Sequence, residues 1–314
     1  MHKLLPYGIA TLLALPLPAA ASCGAAFCSI NTSWDVQDAS QEPGARFDLR
    51  YEHINQDQPR AGSRKVAFGA LHRHHDEIAT RNRNLLASID YALDADLSFN
   101  AMLPIVHRGH AHIHNHMGAQ FLDTWNFTGV GDARVTARRR LGGSEASAWG
   151  FIIGAKLPTG DYELRNGSGA LAERSLQPGT GTTDAVIGAY YARRLPAQGW
   201  SWFVQPALQV PLDSRAGYRP GRRFSLDLGT RHEVGDRLAL MLQLNVLHRT
   251  RDAGRDAEPA DTGGSSAFLS PGASYALSRN WQVFGFVQLP VYQYVNGVQV
   301  TADRAVALGV GTRF

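Results

Sequence analysis

From residue 46 onward the chain is written in a two-residue rhythm. Phe47-Asp48-Leu49-Arg50-Tyr51-Glu52 places apolar side chains at odd positions and charges at even ones. Leu238, Leu240, Leu242, Leu244 and Val246 alternate in the same way with Ala239, Met241, Gln243, Asn245 and Leu247. Successive side chains of an extended strand point to opposite faces, so this rhythm predicts strands with one greasy and one more polar face. Helical periodicity is scarce. The pattern predicts about twelve strands, near 46–55, 80–93, 97–108, 132–141, 148–158, 182–194, 200–212, 222–234, 237–250, 266–278, 281–292 and 303–314.

The connections alternate in length. Asp94-Ala95-Asp96, Gly142 to Ser147, Pro196 to Gly199, Gly235-Asp236 and Ser278 to Asn280 are short turns. The intervening segments, around 56–79, 109–131, 159–181, 213–221, 251–265 and 293–302, read as mostly long, polar, Gly-rich loops. Short periplasmic turns and long external loops are the mark of an outer-membrane barrel, whereas a soluble sandwich has no reason to sort its loops by parity. Trp149, Trp200, Trp202, Trp281, Tyr91, Tyr191 and Tyr275 all flank short turns, which puts them at one end as an interfacial girdle. The expected fold is all-β: a transmembrane antiparallel up-and-down β-barrel of outer-membrane type, residues 46–314. The last strand alternates from Val306 and ends on Phe314, which resembles the assembly signal of outer-membrane proteins. Expected partners are therefore outer-membrane lipid and the β-barrel assembly machinery, in a Gram-negative bacterium.

The N-terminus agrees with export. Residues 1–22 carry a short basic head at His2 and Lys3, an apolar core from Leu4 to Leu17 and small residues at Ala19-Ala20-Ala21-Ser22, the layout of a cleavable signal peptide. Cys23 follows directly, but Ala20 stands where a lipoprotein signal carries Leu. A Cys23–Cys28 disulfide suits the oxidising compartment better. Residues 23–45 precede the first strand and read as a periplasmic or lumen-plugging segment. No later stretch has 18 consecutive apolar residues, so membrane entry requires a closed barrel.

Three blocks carry a family resemblance: Gly129-Val130-Gly131-Asp132, Lys156-Leu157-Pro158-Thr159-Gly160-Asp161 and Pro178-Gly179-Thr180-Gly181-Thr182-Thr183-Asp184. In order and spacing they resemble the outer-membrane barrels of the "MetA-pathway of phenol degradation" transporter family. The resemblance implies a porin-like outer-membrane transporter, in some cases for hydrophobic or aromatic compounds. It supplies no catalytic residues.

Charge parity bears on function. Arg46, Asp48, Arg50 and Glu52, then Arg134, Arg138 and Arg140, then Asp227, Arg231 and Glu233 all fall on the polar face. A lipid-facing Arg or Lys at mid-depth costs roughly 2–4 kcal/mol, so these residues are assigned to the lumen. They suit either a narrow polar channel favouring anionic or polar small solutes, or a salt-bridged closed interior. Histidine is concentrated in two external segments, His72-Arg73-His74-His75-Asp76-Glu77 and His107 to His116. In extended backbone His110, His112, His114 and His116 project to one side, and with His72, His74 and His75 they are candidate ligands for a divalent metal such as Zn²⁺, Cu²⁺ or Ni²⁺. The bland alternative is a solvated loop whose histidines merely titrate. No other cofactor is expected.

The net charge of +4 is spread through alternating strands without a basic helix, which argues against nucleic acid. Ser225 and Asp90 face inward, but no Ser/His/Asp arrangement stands out, so an outer-membrane hydrolase is a lesser alternative and the chain reads as a non-enzyme. A non-conducting receptor or structural barrel is the other.

Overall fold

The computed structural model describes residues 28–37, 42–70, 75–116 and 119–314. The expected signal peptide, Cys23, His72 and His74 lie outside the described residues. The expected Cys23–Cys28 pairing therefore does too.

One antiparallel sheet holds thirteen strands. They are β1 (Gly44–Gly62), β2 (Arg64–Lys65), β3 (His75–Ala92), β4 (Leu97–His116), β5 (Ala119–Val130), β6 (Arg134–Ser144), β7 (Ser147–Lys156), β8 (Asp184–Leu195), β9 (Trp200–Pro211), β10 (Arg223–Val234), β11 (Leu238–Arg249), β12 (Gly264–Ala276) and β13 (Trp281–Arg313). Neighbours in space are neighbours in sequence, and β13 returns to pair with β1 from Arg46↔Arg313 upward. That pairing closes the ring, which leaves the wall without a free edge in the bilayer.

Three features bring the wall to twelve staves. The two-residue β2 pairs only with the end of β1, at Arg60 and Ala61, and lies outside the ring. β4 pairs β6 through its first residues, Leu97↔Arg139 to Met102↔Arg134, and β5 through its last, Ile105↔Val130 to His116↔Ala119. β5 and β6 therefore share one place. β13 pairs β12 with its first half and β1 with its second, reversing at Asn296-Gly297, where Gly297 takes φ +60°. Asn-Gly is the pair that a two-residue hairpin of this kind favours. The long loop expected at 293–302 is thus a tight hairpin between two extended strands.

Of the loop expected at 109–131, residues 109–116 and 119–130 are likewise strand. β1, β3 and β4 run for 19, 18 and 20 residues, well beyond the 9–11 that cross a bilayer. Their outer halves are polar, as loops are, but a paired ladder standing in water tolerates the same composition. The histidine run therefore belongs to β4 rather than to a loop.

Face assignment follows the two-residue rhythm. Ala239, Met241, Gln243, Asn245 and Leu247 are buried while Leu240 and Leu242 lie exposed between them. Ile187, Leu308 and Val291, at 59%, 56% and 60% exposure, belong to the same outward apolar belt. Trp149, Trp200, Trp202, Trp281, Tyr91 and Tyr275 are all exposed at the short-turn end.

Candidate functional site

The lumen is occupied. Residues 28–37 run through it and end in one helical turn, Trp34–Gln37. Cys28, Ile30, Asn31, Trp34, Val36 and Gln37 are all buried. The segment is tied to the inward face by polar contacts. The Cys28 N–H donates to Glu52 at 3.1 Å, the Asn31 side-chain amide to Asp227 at 3.2 Å, and Arg50 to the Thr32 hydroxyl at 3.0 Å. Gln243 both accepts the Asn31 N–H and donates to its carbonyl. Trp34 stacks edge-on against Phe284, with the Arg46 guanidinium 5.0 Å from its ring centroid. Along β1 these contacts descend from Glu52 to Arg46, so the segment travels toward the periplasmic end before β1 begins.

Beside it lies a cavity of about 170 Å³ into which Asp48, Arg50, Asp90, Arg134 and Arg138 project, with Thr32 and Ser33 of the inserted segment on its rim. Of the residues assigned to the lumen by parity, Arg46 pairs with Asp48 at 3.0 Å and Arg50 with Glu52 at 3.0 Å. Asp227 holds Asn31 and Asn245. Arg231 and Glu233 pair at 3.3 Å, where the Glu233 side chain is 40% exposed. Arg138 lies over the Tyr190 ring, and Arg140 donates to the backbone carbonyls of the 144–147 turn. Ser225 sits on β10 between Ala207 and Leu247 of its neighbours, away from the histidine-bearing β4.

At the outer end the segment 157–183 folds inward over the mouth. Its anchor is built from the three blocks of the sequence resemblance. Lys156 reaches Asp132 at 2.9 Å and Asp184 at 3.2 Å, and all three side chains are nearly buried. Asp132 also accepts the N–H groups of Gly160 and Thr180. A Cβ on Gly160 would stand 2.8 Å from Gly179 Cα, so only glycine permits this backbone crossing. Farther along, Arg108 donates from β4 to the carbonyl of Leu176. Leu176 and Ala172 are buried against Trp125 of β5 and Val300 of β13, which plugs the mouth with apolar side chains.

His110 and His112 face this inserted segment. His110 Nε2 lies 3.2 Å from His112 Nδ1 and 3.6 Å from Glu77, and His112 Nδ1 lies 3.6 Å from Glu173 of the segment. Glu77, His110 and His112 are buried, and the Glu173 side chain is nearly so. The other ring nitrogens are held from behind: His110 Nδ1 by Thr80 at 2.8 Å, and His112 Nε2 by Asp123 at 3.9 Å. Burial, and then repulsion from Glu258, Glu77 and Asp261, push the Glu173 carboxyl well above the usual carboxylate range.

Of the expected ligands, then, His110 and His112 meet. His114 shares their face without joining the group, while for His75 and His116 only the backbone is described. Sequence parity missed Glu77 because a bulge between Glu77 and Ala79 turns it to the side of Thr80, three residues on. It missed Glu173 and Arg108 because the inserted 157–183 segment carries Glu173 to His112 and the Leu176 carbonyl to Arg108. The inserted segment 28–37 had one signal, its apolar spacing at Ile30, Trp34 and Val36.

A closed antiparallel barrel with an apolar belt, an aromatic girdle and a polar lumen defines an outer-membrane porin-like barrel of Gram-negative bacteria. The family model described as "Putative MetA-pathway of phenol degradation" matches residues 87–304, and the chain belongs to that family. In fold it is similar to the COG4313 outer membrane channel from Pseudomonas putida F1, at 14% identity and a TM-score of 0.66, over 91% of this chain and 100% of that one. The P. putida toluene transporter TodX aligns at 10% identity and a TM-score of 0.43, over 87% of this chain and 90% of that one. No curated protein matches the chain.

Proposed function

We propose that the protein is a porin-like passive channel for small polar or anionic solutes, held closed by residues 28–37 in the lumen and by the 157–183 segment across the outer mouth. The observation that carries this reading is the polar cavity of about 170 Å³ beside residues 28–37. Three arginines, Arg50, Arg134 and Arg138, line it with two aspartates, Asp48 and Asp90, and a net basic lining favours anions. The contacts retaining residues 28–37 are hydrogen bonds, the ring contacts of Trp34 with Phe284 and Arg46, and the apolar packing of Ile30, Trp34 and Val36 on the inner wall. All lie inside the lumen, so withdrawing these residues breaks them without opening the wall. Divalent metal enters the reading at the outer mouth, through His110 and His112. No catalytic role is assigned to Ser225 or Asp90.

Planar-bilayer recording tests it. The mature protein is expected to open rarely, and a variant lacking residues 28–37 to conduct more, with a reversal potential set by anions. Arg134→Gln with Arg138→Gln is expected to remove that preference. The lumen-filling segment equally favours a non-conducting structural barrel. Silence from the mature protein, from the deletion variant and from one in which the 157–183 cover is also shortened would decide for that barrel.

A further inference from the structure

We propose that Glu77, His110, His112 and Glu173 form a binding site for a zinc-type divalent cation that fastens the 157–183 segment across the outer mouth. The proposal deepens the histidine reading of the mouth and adds two carboxylates to it. Binding itself does not depend on the chain being a channel; only its effect on current does.

Geometry is the first support. Ligand atoms of Glu77, His110 and His112 all lie within 4.8 Å of one another. Tetrahedral nitrogen ligands at about 2.0–2.1 Å from zinc stand about 3.3 Å apart. The 3.2 Å between His110 Nε2 and His112 Nδ1 matches that spacing, and the 3.6 Å separations to Glu77 and Glu173 need only a small inward adjustment.

The surroundings are the second. Metal-bound histidines are held through the ring nitrogen that does not bind, and here Thr80 holds one ring and Asp123 approaches the other. Both rings also pack on Trp125, at centroid distances of 5.7 and 4.9 Å, which screens the group from water. Charge is the third. Two buried carboxylates and two neutral imidazoles balance one divalent ion, and buried charges are paired or coordinate metals. Mixed nitrogen and oxygen donors suit zinc and its neighbours, whereas calcium and magnesium take oxygen.

Three ligands come from the β3–β4 wall and the fourth from the inserted segment. An ion here therefore bonds the mouth cover to the barrel, as Lys156 does at the other side of the same segment.

The test uses the full mature protein in detergent, stripped with a chelator and titrated with zinc chloride by calorimetry. Metal retained after desalting is counted by mass spectrometry. One tight zinc per chain is expected, undisturbed by excess magnesium. His110→Ala with His112→Ala should lose it. Glu173→Gln, which keeps the shape of the side chain, should weaken binding at least tenfold, and His72→Ala with His74→Ala should leave it intact. Tryptophan emission should change on titration in the wild type and in the His72/His74 variant, and not in the His110/His112 variant, because Trp125 packs on both rings. The idea fails if the wild type retains no zinc, or if the His110/His112 variant retains as much as the wild type. It also fails if Glu173→Gln binds normally, since the ion would then not reach the inserted segment. In bilayers, zinc should lengthen the closed intervals of the wild type and not of Glu173→Gln. Unchanged gating in zinc-loaded wild type would overturn the fastening role while leaving the channel reading intact.

Discussion

At the periplasmic end, Asp94 accepts the backbone N–H groups of Asp96 and Leu97, both at 2.8 Å, and Ser278 accepts those of Asn280 and Trp281. Each turn is closed by residues two or three apart. At the outer end, Lys156 reaches 24 residues back to Asp132, Thr180 reaches 48 back to it, and Arg108 spans 68 to Leu176. One end is a set of independent local turns. The other is a single tertiary object in which each contact supports the next. The difference teaches how the two ends are built: short-range contacts close the strands at one, whereas long-range contacts assemble a cover over the mouth at the other.

That contrast can be broken experimentally, and the largest effect is expected at Lys156. Lys156→Met leaves Asp132 and Asp184 buried without their cation, a loss of about 3–5 kcal/mol. It should show as a lower temperature for the loss of heat-modifiable gel mobility. Adding Asp184→Asn should restore part of it, because it removes one of the two unpaired charges, whereas Asp132 must stay a carboxylate since each of its oxygens accepts a backbone N–H. A Lys156→Met protein as robust as the wild type would mean that the outer end is not held by this pair.

Between the two ends lies the wall, which obeys neither rule. Ile187→Arg places a charge in the outward belt and should cost about 2–4 kcal/mol in a bilayer. Equilibrium unfolding from vesicles measures it, and a negligible cost would remove lipid from that face. At the outer mouth, Gly160→Ala brings a methyl against Gly179 and should cost about 1–3 kcal/mol through overpacking. Protease nicking between 157 and 183 should rise with it.

The smallest effect belongs to the local end. Asp94, fully exposed, is held below the ordinary carboxylate range chiefly by the Asp96 N–H and then by that of Leu97. A depressed carboxyl stabilises the fold above its unfolded value, about 3.9, and loses that contribution as pH falls through the lowered folded value. Asp94→Ala should therefore melt slightly earlier than wild type at neutral pH, and the gap should close in strong acid. A gap that persists there would show that the turn gains nothing from the charge.

What could be read without coordinates was whatever repeats locally. A strand turns its side chains over every second residue whatever surrounds it, so Asp48, Arg50, Glu52 and Asp227 could be assigned to the inner face by counting. Short turns carry their own chemistry in Asp94 and Ser278, and the girdle follows from their spacing. Only the folded chain decided the rest. A one-residue bulge reversed the parity that would have sent Glu77 outward, and polar composition concealed that His107 to His116 is paired strand. The three motif blocks could be seen as a pattern, but their meaning lies in Lys156 meeting two aspartates from different strands. The reason is physical: alternation is a property of neighbouring bonds, while a buried charge cluster or an inserted segment depends on where distant parts of the ring bring their side chains together.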